Sequence, residues 1–246
     1  MTTTIAIPQR IKQTSYKSIT RLLTPGPLFE VHNTESHDRA DIERYICDQF
    51  QAIHGACINE YMPDLLTMRC AGKLSGAAGI RFADSEKLFL EKYLRNTVEQ
   101  SIKYITGFET QRESIAEIGN LVATHRGSSQ LLFIILTAIL ARLDCDWAVF
   151  TATPIVARLI SKLGLDLYTL ADARPSALMT PSEVDNWGTY YESKPKVYCV
   201  STSAAYKVLQ SRKTLASILT LYQHRIVALA ELINSGYNGE KYALKA

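Results

Sequence analysis

The chain has 246 residues, 47% of them hydrophobic and 21% charged, enough to bury a full core within a single domain. Its net charge of +3, without a basic stripe, gives no ground to expect a nucleic-acid binder, and the opening MTTTIAIPQR lacks the apolar core of a secretory signal. The longest apolar run, 131–141, is about half of the roughly 20 residues a spanning helix needs, so we expect a cytoplasmic protein with a buried helix there and no membrane span. Five cysteines, an odd count without a Cys-x-x-Cys pair, and five scattered histidines predict reduced thiols and no metal.

Residues 1–27 are polar, end in Thr24-Pro25-Gly26-Pro27 and read as an N-terminal arm. A short strand is expected over 28–31. A helix then carries Ile42, Tyr45, Ile46, Phe50 and Ile53, with Ser36 or Asp38 as its cap. Segments 65–70 and 76–82, divided by Ala71-Gly72-Lys73, predict a hairpin. Residues 88–105 have the spacing of one helix, with Phe89, Tyr93, Leu94, Val98 and Ile102 on one side.

The second half predicts strand 114–122, loop 124–129, apolar helix 130–143 and buried strand 147–151. Thr153-Pro154 opens another helix that Gly164 stops, and 165–170 is a further strand. This order fits a parallel-type α/β unit. From Lys213 to Ile233, apolar residues at helical intervals predict one amphipathic helix, docked on the core or on a partner subunit.

Four segments, taken in order, resemble the thermostable hemolysin family: Met62-Pro63-Asp64-Leu65-Leu66; Gly79-Ile80-Arg81-Phe82-Ala83 with the 88–94 stretch; Glu117-Ile118-Gly119-Asn120-Leu121; and Phe150-Thr151-Ala152-Thr153 with Trp187-Gly188-Thr189-Tyr190-Tyr191. That family is similar to GNAT acyltransferases, and in particular to acyl-homoserine-lactone synthases. The resemblance implies an α/β fold with a GNAT-like mixed sheet flanked by helices and an extra C-terminal helix. It places the acyltransferase domain at 28–209 and a helical extension at 210–246. It also implies acyl transfer from an acyl carrier protein or coenzyme A thioester to a small-molecule amine. The family name instead records a lytic phenotype, so a membrane-active lytic protein and a non-catalytic GNAT-like binding domain stand as alternatives.

Acyl transfer needs a base for the amine, a donor for the thioester carbonyl and a grip on the carrier arm. Glu117 is a carboxylate within an apolar strand; burial would raise its pKa toward that of a base, or it pairs with Arg81. Gly119 marks either a bulge or a packing contact. A bulge would turn Glu117 and Asn120 to one side and free backbone amides near Val122 for the carbonyl. The loop Thr124, His125, Arg126, Gly127, Ser128, Ser129 precedes a helix N-terminus and is expected to hold the carrier's phosphate, or else to serve as a plain cap. The GNAT loop pattern has a long side chain where Thr124 stands and a smaller residue where Ser129 stands; only Gly127 fits, which leaves coenzyme A and a carrier protein comparable as donors. Arg81 is expected to bind a substrate carboxylate. Glu91 is expected on a solvated helix face unless its neighbours close a pocket, and Trp187 in a substrate pocket. Tyr190 or Tyr191, the latter favoured, would protonate the leaving thiolate. Cys199 lies in a strand-like run without a nearby histidine, which argues against covalent catalysis.

Overall fold

A computed structural model describes residues 26–84, 87–125, 127–177 and 181–243, with side chains set aside for 181–183 and 237–243. Most of the expected N-terminal arm, and Arg126, lie outside the described residues. The strands are β1 (Leu28–His32), β2 (Asp64–Cys70), β3 (Lys73–Phe82), β4 (Ile115–Ala123), β5 (Trp147–Ala152), β6 (Tyr168–Asp172) and β7 (Lys196–Ser201). They form one sheet in the order β1-β2-β3-β4-β5-β7-β6. Only β4 and β5 run parallel; every other pair is antiparallel. The expected mixed sheet flanked by helices is therefore present.

Helices α1 (Arg39–His54) and α2 (Val98–Thr106) cover one face of the sheet. Helix α3 (Ser128–Arg142) lies on the other face, with eleven of its side chains buried. It is apolar nearly all round because it is enclosed on two sides, by the sheet and by the C-terminal helices. Each Leu or Ile buried there is worth about 1.5–3 kcal/mol, so α3 anchors the main core. Helix α4 (Pro154–Lys162) begins where the sequence places it: Thr153 Oγ1 accepts the N–H of Val156, and Pro154 needs no partner in the first turn.

Three expectations change in detail. The 88–105 segment is two elements, a 3-10 turn at Phe89–Tyr93 and then α2. The strand expected at 165–170 is β6, shifted toward the C-terminus, while Leu165 packs into the core before it. The C-terminal stripe breaks at Tyr222 into α7 (Lys213–Leu221) and α8 (Gln223–Ala243), which follow α5 (Pro181–Asn186) and α6 (Thr202–Ser211). Leu215, Ile218, Ile226, Leu229 and Ile233 are buried in the main core, so the stripe docks on this chain's own fold. Arg225 Nε completes that docking with a 2.6 Å bond to the Phe29 carbonyl on β1.

Candidate active site

Strands β4 and β5 pair only from Ile115 to Ile118 and from Trp147 to Phe150. Beyond that point both continue, yet they diverge, and the edge of β4 facing β5 has no strand partner among the described residues. A bulge drives the divergence. Ala77 faces Val122 and Gly79 faces Gly119, so two residues of β4, Asn120 and Leu121, oppose the single Ala78. Asn120 takes up the bend with φ 49, a left-handed conformation that asparagine tolerates better than most residues.

The divergence opens a cavity of about 540 Å³ between the strands. Residues 118–123 and 150–153 form its middle. Because the sheet is open here, the walls come from both faces. Phe133, Val156 and Leu159 close it from the α3 and α4 side, and Phe50, His54, Met62, Arg81, Phe89 and Trp187 from the α1 side. The Trp187 segment is strapped to the end of α1 by Thr189 N–H to the His54 carbonyl at 2.8 Å and Cys57 N–H to the Asn186 carbonyl at 2.7 Å.

Glu117 is 3% exposed. Its two carboxylate oxygens accept the N–H groups of Phe89 and Leu90, each at 2.9 Å. Burial pushes its carboxyl up to about 7, against the pull of those two amides and of Arg81. Arg81 is its cross-strand partner, but no ion pair joins them, so the pairing alternative is not what the geometry contains. Glu117 lies beside the cavity, not in its wall.

Glu91 is buried, not solvated. It accepts the N–H groups of Leu88 (2.9 Å) and Val98 (3.0 Å) and a two-pronged bond from Arg112 at 2.8 and 2.9 Å. Burial alone would raise its pKa, but Arg112 and the amides hold it below the usual carboxylate value. These bonds explain the broken helix, since one carboxylate ties the start of the turn to the start of α2. Glu91 is thereby removed from the cavity wall.

Of the other expected site residues, Asn120, Val122, Ser129, Arg81 and Trp187 line the cavity. Asn120 is committed elsewhere: Oδ1 accepts the Met62 N–H at 2.8 Å and Nδ2 donates to the Glu60 carbonyl at 3.1 Å. Tyr191 stands behind Tyr93, hydroxyl to hydroxyl, and it is Tyr93 that lines the cavity. Thr124 bonds the Ser75 carbonyl and His125. Gly127, at φ 95, caps α3, where Ser128 is fully buried with no hydrogen-bond partner for its hydroxyl among the described residues. Cys199 is buried, and burial pushes its thiol up to about 12, which suits an inert core residue.

Gly119 sits next to the bulge and also serves close packing. A Cβ on Gly119 would come 2.5 Å from Met62 Cε, and one on Gly79 2.6 Å from Met62 Cβ and Cγ. Sequence reasoning did not assign roles to Met62, Phe89 or Tyr93, although all three stand in the segments that carried the resemblance. It also missed His54, which no motif marks. His54 lies edge-on to Tyr190 with ring centroids 5.3 Å apart, and burial lowers its pKa.

The sequence pattern of the family described as thermostable hemolysin matches residues 32–206. The chain belongs to the thermostable hemolysin family. No curated protein matches it in sequence. Among solved structures, it is similar to BjaI, a CoA-dependent acyl-homoserine lactone synthase with SAM and isopentyl-CoA, at 12% identity. That match covers 82% of this chain and 90% of that one, with a TM-score of 0.51. FeeM, an N-acyl amino acid synthase from uncultured soil microbes, is 13% identical over 73% of this chain and 93% of that one, with a TM-score of 0.50. These likenesses are in fold, and this member of the thermostable hemolysin family has the GNAT-like mixed sheet. Among the described residues, no helix is long and apolar enough to cross a membrane.

Proposed function

We propose that the protein is an acyltransferase that moves an acyl group from a thioester to an amine. The observation that carries this reading is the parting of β4 from β5 at the Asn120 bulge. It leaves the β5-facing edge of residues 119–123 without a strand partner, beside an apolar cavity and the N-terminus of α3. Unpaired amides near Val122 can donate to a thioester carbonyl as it gains negative charge, fixed in place before the reaction begins. The α3 N-terminus suits the phosphate of coenzyme A or of a carrier protein's pantetheine arm.

In the step itself, the amine nitrogen bonds to the carbonyl carbon and the carbon–sulfur bond breaks. The amine's surplus proton passes to Glu117 and then to the leaving thiolate. Glu117 is suited to this because burial brings its pKa near neutrality, while the Phe89 and Leu90 amides fix its orientation. A water between Glu117 and the cavity would carry the proton. Tyr93, which lines the cavity and leans on Tyr191, takes the place expected for Tyr191 as the last link of that relay: its hydroxyl gives a proton to the thiolate and recovers one from Glu117.

The test is mass spectrometry of mixtures holding the protein, an acyl donor and a pool of amines. Both an acyl-coenzyme A and an acyl-loaded carrier protein are offered. N-acyl products with matching release of free thiol support the reading, and the donor consumed identifies the carrier. Intact thioester in every mixture contradicts it.

A further inference from the structure

We infer that the amine acceptor is an amino acid, and that Arg81 is the residue that holds its carboxylate. The inference rests on the acyl-transfer reading and names the class of its second substrate.

Arg81 is half-buried and lines the cavity. Its guanidinium forms no hydrogen bond and no ion pair with any described residue. Other arginines withdrawn from solvent in this fold are satisfied by the protein itself. Arg39 bonds the carbonyls of Met62, Pro63 and His32 and the Glu43 carboxylate. Arg69 pairs with Glu30 and Asp38, Arg112 with Glu91 and Glu99, and Arg225 bonds the Phe29 carbonyl. A permanently charged group taken out of water without a partner is unfavourable, unless a ligand supplies the missing charge. A planar guanidinium fork matches a carboxylate through two parallel bonds.

The nearest acid does not fill that role. Glu117 faces Arg81 across β3 and β4, but its oxygens are taken by the amides of Phe89 and Leu90. Directly opposed residues keep their side chains on one face of the sheet, with Cβ atoms about 4.5–5.5 Å apart. A cation and a carboxyl group therefore stand side by side. An amino acid carries its own carboxylate and amine two bonds apart, in complementary order. With the carboxylate on Arg81, the amine lies toward Glu117, beside the bulge where the thioester carbonyl would sit. Phe89 and Trp187, with ring centroids 5.9 Å apart, leave apolar surface for the acceptor's side chain. The product would be an N-acyl amino acid, formed by the same exchange of a carbon–sulfur for a carbon–nitrogen bond.

The test pools the twenty common amino acids and, separately, their carboxamides, each offered with whichever acyl donor the protein consumes. The expected result is N-acyl amino acids formed at least tenfold faster than the amides. Arg81→Met should remove that preference through a raised KM, with little change in melting temperature. Arg81→Lys should restore part of it, as a point charge without the fork. Equal use of both pools by the wild type overturns the carboxylate inference and leaves acyl transfer standing. A preference that survives in a folded Arg81→Met variant overturns the role of Arg81. No product from any amine overturns acyl transfer itself, and this inference with it.

Discussion

Asn120 holds Met62 in place: the amide oxygen at the bulge of β4 accepts the Met62 N–H at 2.8 Å, across 58 positions of sequence. The same side chain donates to the Glu60 carbonyl. The bulge is thus tied to the segment that roofs the cavity, and Asn120 serves to position that segment.

Replacing Asn120 should expose its two roles separately. Asn120→Gly keeps the left-handed backbone and loses two hydrogen bonds, a cost of about 1–3 kcal/mol. Asn120→Ala should cost about 1–2 kcal/mol more, because alanine at φ 49 is strained. Denaturant melts of the two variants measure the difference, and equal stabilities would show that the conformation at 120 matters less than its bonds.

Gly79 and Gly119 lie under one methionine but should not tolerate alanine equally. At Gly119 the new Cβ meets Met62 Cε, the free end of a flexible chain that can swing aside. At Gly79 it meets Cβ and Cγ, which are fixed close to the backbone. Gly79→Ala should therefore cost about 1–3 kcal/mol, and Gly119→Ala clearly less. Thermal melts check the order, and the reverse order would contradict the packing described.

The elements that were legible from sequence are those set by local chemistry. The apolar residues on either side of Glu117 marked β4, the apolar run marked α3, and Thr153-Pro154 marked the start of α4. Misread features depend on distant partners. The 88–105 helix breaks because Glu91 spends its oxygens on Leu88, Val98 and Arg112, and Arg112 lies 21 positions away. Helical periodicity cannot register such a bond. Glycines 79 and 119 were visible as glycines, but Met62, the reason for their smallness, is a partner that only the fold supplies. Arg81 and Glu117 were both singled out, yet that no ion pair joins them could be seen only once Phe89 and Leu90 were found on the carboxylate.

Arg112 should prove a stability residue. Arg112→Met strands the buried Glu91 carboxylate, and breaking such a pair costs about 3–5 kcal/mol near neutral pH. The folded state depresses the Glu91 pKa, so the stabilisation exists above the unfolded pKa and is lost as pH falls through the lower folded value. The gap between wild type and variant should therefore be full at pH 7 and shrink below about pH 4. Urea titrations at several pH values measure it. A gap that widened on acidification would contradict the assignment.

Lysis by this member of a family named for hemolysis should depend on chemistry. With protein-free liposomes and no acyl donor, dye release should stay at background. Adding donor and amino acids should produce release that tracks product, because an N-acyl amino acid is an anionic amphiphile. Release at submicromolar protein without donor would favour a directly membrane-active protein.

The most direct measurement is the rate of thiol release from the acyl donor, with acceptor present, for wild type and Glu117→Gln between pH 6 and 9. For the wild type, the rate should fall as pH drops below about 7, where the Glu117 carboxyl takes up its proton. Glutamine retains the size of the side chain but cannot accept the amine's proton, and its amide nitrogen would face one of the two backbone N–H groups. A melt must first confirm that the variant is folded. The account predicts a rate lower by about 10²–10⁴-fold at neutral pH, recovering in part at pH 9, where more of the amine is already deprotonated. A folded Glu117→Gln protein that releases thiol at the wild-type rate, with the wild-type pH profile, would contradict it.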